Sequence, residues 1–335
     1  MNDAPQDTPL MTPADAWSTY WEKGALHSCP SAFGANYDDG ISAFWVSFFS
    51  ALPANASILD VGTGNGGIAF LARDVGQQTG KNFRVTGIDA ATIDPALAAR
   101  HHGIALDGVT FHSHVPAEHT GYPDASVDAA VSQYAIEYSD TDASVAELGR
   151  ILKPDARFAL LVHHSGSAAA SATRAELTAF SFMAEQAPLL SCATWLVEHL
   201  LGSGPDPDPM LLMQDPVAAE QVTHFGQLRE RLIAYAGNHP QAGFVRDLAL
   251  RISGILQQIP TTGGAIAQHS LQQLAREMAA HQSRLQAMAD ACHSQQDIDQ
   301  LLTLLQQNGL HCERCDTLYR NQQDLMGWAI VGQRT

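Results

Sequence analysis

The sequence predicts an α/β fold: a mostly parallel sheet with an antiparallel last strand, carrying a large helical insertion. Three observations predict it. Between residues 57 and 163, short apolar runs alternate with helical text, the pattern of parallel strands joined by crossover helices. From 166 to 306 the text is helical only, rich in Ala, Gln and Leu. Strand text then returns at 311–319 and 325–332, two runs close enough to pair antiparallel. The helical block therefore falls between the fifth and sixth strands, and the expected organisation is a leader (1–55), a core (56–165), an insertion (166–306) and closing strands (307–335).

The elements follow in order. The leader holds helices, with Trp17, Tyr20 and Trp21 spaced to share one face and an apolar helix over 41–52 closed by Pro53. Strand 57–61 leads to helix 67–79, and strand 83–88 runs up to Asp89. Helix 95–102 has a start signal in Asp94 followed by Pro95. Strand 109–114, strand 127–132, helix 143–152 and strand 157–163 complete the core. Breaks inside the helical block are expected at 202–209, 238–240 and 260–264; the alternating prolines and aspartates of 205–209 exclude a helix there.

Composition bounds the function. The 335 residues suffice for a full core plus an added segment, and 45% hydrophobic with 16% charged residues is ordinary globular composition. A formal net charge of −17 repels phosphate backbones, and no run of Lys or Arg offsets it, so a nucleic-acid substrate is not expected. Residues 1–13 lack the basic and apolar regions of a signal peptide, and no stretch is fit to span a membrane. The odd, scattered set Cys29, Cys192, Cys292, Cys312 and Cys315 suits reduced thiols in a cytoplasm. Cys312 and Cys315, preceded by His311, lack a second ligand pair nearby, so strand packing is expected and no metal.

The strongest motif runs from Ile58 to Gly67: an apolar strand, then Asp60, Gly62, Thr63, Gly64, Asn65 and Gly66, then a helix start. Glycines there allow left-handed backbone and let a ligand approach the N–H groups of a helix N-terminus. Asp60 stands two residues before the first glycine. Asp89 ends the second strand, where an acid can accept hydrogen bonds from a ribose diol. A third piece runs from Ala117-Glu118 through Asp124 and Ser126 to Asp128, and a fourth is Leu148 to Ala156, with Lys153-Pro154 before the fifth strand.

These four pieces, in this order, resemble class I S-adenosylmethionine (SAM) methyltransferases, of the broad group that includes ubiquinone and menaquinone C-methyltransferases. The resemblance covers residues 55–165, with weaker support from the two last strands. It implies a Rossmann-like sheet and SAM as cofactor, held by Asp60, Gly62, Thr63, Gly64, Gly66, Asp89, Ala90, Ala117, Glu118, Ser132 and Gln133. Two positions depart from the family pattern: Pro116 stands where an Asp often binds the adenine amino group, and Thr120-Gly121 replaces Leu-Pro. Adenine recognition then falls on a backbone group near Val115 or Ala117, or on another side chain. A dinucleotide is the competing ligand, since Gly62, Gly64 and Gly67 also satisfy its glycine spacing. Asp60 decides between them: a buried carboxylate is unfavourable beside a pyrophosphate and favourable beside a sulfonium and an ammonium.

Substrate-facing groups are expected at the carboxyl ends of the strands. After the fourth strand, Ser132 to Tyr138 lacks the Asn/Asp-Pro-Pro-Tyr motif of enzymes that methylate amino groups of nucleic acids and glutamines. Tyr134 is a candidate for contacting substrate, Glu137 and Tyr138 for orienting the nucleophile. His163 at the end of the fifth strand is a candidate general base, and His164 a candidate substrate contact. Trp17, Tyr20 and Trp21 are candidates for the substrate pocket, the alternative being a helix face buried on the core.

The expectation is a cytoplasmic enzyme that methylates a small molecule by in-line displacement, with the insertion as a lid over the carboxyl edge of the sheet and as the route to a homodimer. The rivals are a tRNA or protein methyltransferase, a non-catalytic SAM-binding protein, and a nicotinamide-dependent oxidoreductase.

Overall fold

The computed structural model describes residues 12–28, 36–204 and 208–335; Cys29, residues 1–11 and residues 205–207 of the proline run lie outside it. The chain divides into two compact units, residues 1–171 with 287–335, and residues 172–286.

The first unit is built on a seven-stranded sheet. Its strands are β1 (Ser57–Val61), β2 (Arg84–Asp89), β3 (Val109–Ser113), β4 (Val127–Gln133), β5 (Leu152–His163), β6 (Leu310–Arg320) and β7 (Asp324–Arg334), in the order β3-β2-β1-β4-β5-β7-β6. The first five are parallel, and β7 runs antiparallel between β5 and β6. This is the mostly parallel, Rossmann-like sheet with an antiparallel last strand expected from the sequence. Strand order reverses at β1, whose neighbours are β2 and β4, and in open α/β sheets ligands bind at such a switch point. Register brings the relevant ends level: Val61 lies opposite Ile88 on one side and Ser132 on the other.

The helices of this unit start where local chemistry lets them. In α1 (Pro13–Trp21) the Thr12 hydroxyl caps Asp15 N–H at 3.2 Å and Asp15 reaches back, with Pro13 at the first helical position. In α4 (Pro95–His102) Asp94 accepts the Leu97 N–H at 2.8 Å, and Gly103 ends the helix at φ 66°. α2 (Asp39–Ala51) buries Ile41, Trp45 and Phe49 in a core shared with Ile68 and Val75 of α3 (Gly67–Gln78) and with the sheet. A second core holds Val145, Leu148 and Ile151 of α5 (Thr141–Ile151).

Two differences from the sequence reading stand out. β5 starts at Leu152, which pairs with Val127; pairing with β4 resumes at Arg157 after an irregularity through Pro154 and Asp155, where Asp155 takes φ 61°. The last helix of the helical block, α12 as numbered below, packs on the sheet: Ile298, Leu301 and Leu305 belong to the second core, beside Leu310 of β6. The compact helical unit is therefore 172–286, shorter than 166–306. Apolar spacing shows that a helix has one buried face, but not which layer it packs against.

Glu147 of α5 is a structural anchor. Its Oε1 accepts the Thr120 N–H and hydroxyl at 2.8 and 2.7 Å, and Arg150 Nε donates to Oε2 at 2.7 Å. Its side chain is 7% exposed. Arg150 and Thr120 hold its carboxyl down at about 2 against the effect of burial. A carboxylate with a lowered folded pKa stabilises the fold above its unfolded value, and that contribution disappears as pH falls through the folded one. Glu147→Gln is thus expected to cost about 1.5–3 kcal/mol at pH 7 in urea unfolding. The difference from wild type should shrink between pH 4.5 and 2, the interval between the two pKa values. An unchanged urea midpoint at pH 7 would dismiss the anchor.

The second unit is helical. It comprises most of α6 (Ala168–Glu185) and α11 (Gly264–Ala291), with α7 (Leu189–Leu201), α8 (Leu211–Gln214), α9 (Pro216–Asn238) and α10 (Phe244–Thr262) between them. α12 (Gln295–Gln307) follows in the first unit. The helical unit has a core of its own, with Leu196, Leu228, Leu232, Val245, Ile252 and Leu271. Pro216 opens α9 with Asp215 capping the Val217 N–H at 2.9 Å. The break near 260 falls on Gly263 at φ 85°, with Pro260 inside the last turn of α10. Among the described residues, no helix is long and apolar enough to cross a membrane.

Candidate active site

The carboxyl ends of β1, β2 and β4 border a cavity of about 350 Å³. That volume falls in the range for small ligands, roughly 300–1,000 Å³. Its floor is the glycine turn. Gly62, Gly64 and Gly66 all have positive φ, at 69°, 52° and 97°. A Cβ on Gly62 would stand 2.1 Å from the Ala135 Cβ, and one on Gly64 2.6 Å from the Trp21 ring. Side chains are excluded there by both conformation and space.

Asp60 and Asp89 supply the site's charge. Asp60 is on the cavity wall, 2% exposed, and accepts the Thr63 hydroxyl at 2.7 Å. Burial pushes its carboxyl up to about 7; the Thr63 hydrogen bond opposes the rise and the nearby Asp89 charge adds to it. Asp89, also on the wall, accepts the Gly64 N–H on Oδ2 and the Ala91 N–H on Oδ1, both at 2.8 Å. Burial raises its carboxyl as well. Asp89 therefore braces the glycine turn from the end of the neighbouring strand, whatever else it holds.

Ala90, Val115, Pro116, Ala117 and Glu118 continue the wall, and Glu118 accepts the Asp140 N–H at 2.8 Å. Pro116 has no N–H, and the Val115 N–H already donates to the Asp89 carbonyl at 2.9 Å. An adenine at this edge would have the Ala117 N–H and the backbone carbonyls to pair with.

The leader closes one side. Asn65, inside the glycine turn, donates to the Trp21 and Ala25 carbonyls at 3.0 and 2.7 Å and accepts the Asp94 N–H at 2.8 Å. These bonds pin α1 beside the turn. Trp17 and Trp21 lie on the wall, stacked at 5.7 Å and 20°, and Tyr138 meets Trp17 edge-on at 5.8 Å. Tyr20 stays off the wall, its hydroxyl donating to the His27 carbonyl at 2.9 Å.

The sequence reading missed His27 and Tyr37. Both line the cavity, with rings stacked at 4.5 Å, and Asn36 beside Tyr37 donates to the Gly67 carbonyl at 2.8 Å. They lie outside the helical periodicity of the leader, so no pattern marked them.

At the end of β4, Gln133, Tyr134 and Tyr138 are wall residues. Ser132 is not: its hydroxyl accepts the Ile136 N–H at 3.1 Å and shapes the turn. Tyr134 has φ 53°, and its hydroxyl donates to the Met326 carbonyl at 3.1 Å. His163 lies behind it, ring stacked on Tyr134 at 4.2 Å and 8°, and is not part of the wall drawn from the described residues. Burial, and secondarily His293, push the His163 imidazole down to about 3, so it stays neutral near pH 7. Glu137 is also off the wall. Its Oε1 accepts the His163 N–H at 2.9 Å, its Oε2 has no hydrogen-bond partner among the described residues, and burial pushes its carboxyl up to about 8. His164 is turned elsewhere, stacked on Trp328 at 4.5 Å with its Nδ1 accepting the Gly166 N–H at 2.8 Å. Cys312 and Cys315 pack against the second core from β6.

A Rossmann-like sheet with a glycine turn between two strand-end acids is an architecture that class I SAM-dependent methyltransferases share. Residues 59–160 match the family model described as a methyltransferase domain. The YcgJ protein from Bacillus subtilis is similar at 26% identity over 37% of this chain and 50% of that one, with a TM-score of 0.31. Geranyl diphosphate C-methyltransferase from Streptomyces coelicolor A3(2) is similar at 18% identity over 47% and 66%, with a TM-score of 0.34. The 1,6-didemethyltoxoflavin-N1-methyltransferase from Burkholderia thailandensis is similar at 14% identity over 99% and 94%, with a TM-score of 0.43. The chain spans between half and about three fifths of the length of the first structures it matches. No curated protein matches it by sequence.

Proposed function

We propose that this chain transfers the methyl group of SAM to a small-molecule acceptor by in-line displacement. The observation that carries the reading is the cavity itself. It joins the glycine turn, Asp60 and Asp89 to an aromatic wall of Trp17, Trp21, Tyr37, Tyr134 and Tyr138, in a volume suited to small ligands. SAM would supply an electrophilic methyl on a sulfonium. The residues present fit it: Asp89 for the ribose, the backbone of Val115–Glu118 for adenine, and Asp60 for the positive charges. The first N–H groups of α3, at Gly67 and Ile68 on the wall, suit the carboxylate.

The chain's own part is to orient the acceptor and exclude water. Of the candidate catalytic groups, Tyr138 is the one on the wall; His163 stacks on Tyr134 and meets Tyr138 edge-on, and Glu137 holds the His163 backbone N–H, so both serve as positioning groups.

Incubation with SAM and a metabolite extract tests the proposal: a methylated product below about 1 kDa by mass spectrometry is expected, and methylation only of added tRNA or protein would overturn it. The Asp60 carboxyl adds a pH signature. Neutral below about 7, it must ionise to favour a bound cation. SAM affinity should therefore weaken as pH falls below 7, approaching tenfold per unit, while methylthioadenosine, which lacks both cationic groups, should show little change. Parallel pH profiles for the two ligands would remove Asp60 from the cation site.

A further inference from the structure

The charge on the cavity wall has one sign. Asp60, Asp89 and Glu118 line it, and among the described residues no Lys or Arg does. Residues 1–11, 29–35 and 205–207, outside the described ones, contain no Lys or Arg in the sequence. Among the described residues, His27 is the one basic side chain on the wall; it is 5% exposed, with its ring stacked on Tyr37.

Helix N-termini are the other source of positive potential, and two of them reach this wall. The Gly67 and Ile68 N–H groups of α3 suit the cofactor carboxylate. Thr12, Pro13 and Ala14 bring the start of α1 to the wall, but the chain has closed that end itself. Asp15 accepts the Thr12 hydroxyl at 2.6 Å, the Thr12 hydroxyl accepts the Asp15 N–H at 3.2 Å, and Pro13 has no N–H to offer. A carboxylate of the protein thus stands at the positive pole where an anion would bind.

An anionic acceptor entering here would leave water without a cation to pair with, and an unpaired charge is strongly disfavoured out of water. The rest of the wall works in the same direction. Trp17, Trp21, Tyr37 and Tyr138 present aromatic rings, whose faces carry the negative side of the π quadrupole. Such faces stack on neutral rings and attract cations, but repel anions. Resting on the methyltransferase reading, we infer that the acceptor is a ring-bearing molecule without a phosphate, sulfate or carboxylate group, and that the wall rejects anionic analogues by leaving their charge unpaired. Discrimination of this kind is built from what the site withholds as much as from what it offers.

The test uses full-length protein loaded with S-adenosylhomocysteine, at about pH 8, where an ordinary imidazole is neutral. The probes are 2-naphthamide and 2-naphthoate, which share ring and shape and differ in charge. Calorimetry and ligand-observed NMR should show the amide bound about 100-fold more tightly than the carboxylate. Ala14→Lys places a cation on the wall, in the first turn of α1. It should reduce that preference by about tenfold or more by strengthening 2-naphthoate binding, while S-adenosylhomocysteine affinity stays within about twofold and certifies the fold. Wild-type protein that binds 2-naphthoate as tightly as the amide overturns the inference, because a cation from elsewhere in the chain must then serve the site. No binding of 2-naphthamide overturns it as well, and both results stand even if the variant misfolds. So does a folded Ala14→Lys protein with an unchanged preference, since charge would not then set the choice. Failure of the wild-type protein to bind S-adenosylhomocysteine at all would instead bring down the methyltransferase reading.

Discussion

Gly64→Val is expected to eliminate S-adenosylhomocysteine binding. Two independent costs meet at this residue. Its φ of 52° is closed to β-branched side chains, and holding one there costs on the order of 1–3 kcal/mol. A Cβ would also stand 2.6 Å from the Trp21 ring, so Trp21 must leave its place. Gly64 is not itself a wall residue, whereas Trp21 is. The damage therefore reaches the cavity through the displaced indole and the distorted turn, not by filling cofactor space as the motif alone suggests. Trp21 leaving would break the stack on Trp17, and the 2.8 Å bond from Gly64 N–H to Asp89 would be lost with the turn. Together these effects should weaken binding by at least about 100-fold, or roughly 2.7 kcal/mol. Calorimetry on a variant with wild-type circular dichroism is the measurement; retained affinity would show that the turn yields and that the leader is not part of the site.

Which parts of this site could be read from the chain depends on whether a local pattern encodes them. β1 and α4 fall at their expected bounds, because a strand running into glycines and an Asp-Pro helix start are local signals. Asp60, Asp89 and the glycines form one cluster for the same reason: their spacing is set by one strand–turn–helix and its neighbour. Long-range packing has no such signature. That α12 belongs to the sheet and that His27 and Tyr37 line the cavity depend on tertiary contacts that the spacing of these residues does not mark. The histidines show the opposite error. A strand-end position suggested a base, but His163 is screened by Tyr134 and His164 faces Trp328, because side-chain direction at a strand end changes with each residue. Asp128 carries the family pattern for a structural reason, joining Lys153 at 2.7 Å to the Ser57 N–H at 2.9 Å across β1, β4 and β5.

Asp89→Ala should cost as much as the ribose contact and the turn together. An acid that only met a ribose would be worth about 1.5–3 kcal/mol, the range for a hydrogen bond to a charged partner. Asp89 also accepts the Gly64 and Ala91 N–H groups at 2.8 Å, so its removal leaves two backbone donors at the cavity edge without their acceptor and frees the turn that carries Gly62 and Thr63. The expected loss of S-adenosylhomocysteine affinity is therefore above the ribose value, about 3–5 kcal/mol, or 150-fold and more. The two contributions separate by ligand and by variant. Asp89→Asn keeps one oxygen for a backbone N–H and loses the charge, so it should fall between wild type and Asp89→Ala. A 2′,3′-dideoxy analogue of S-adenosylhomocysteine lacks the diol; against it, wild type should lose the ribose share, while Asp89→Ala should lose little more than it already has. If Asp89→Ala weakens the diol ligand and the dideoxy ligand equally, Asp89 acts on the turn alone and the ribose is held elsewhere. If it weakens neither, the carboxylate is dispensable to both, and the assignment of this edge to the nucleoside fails.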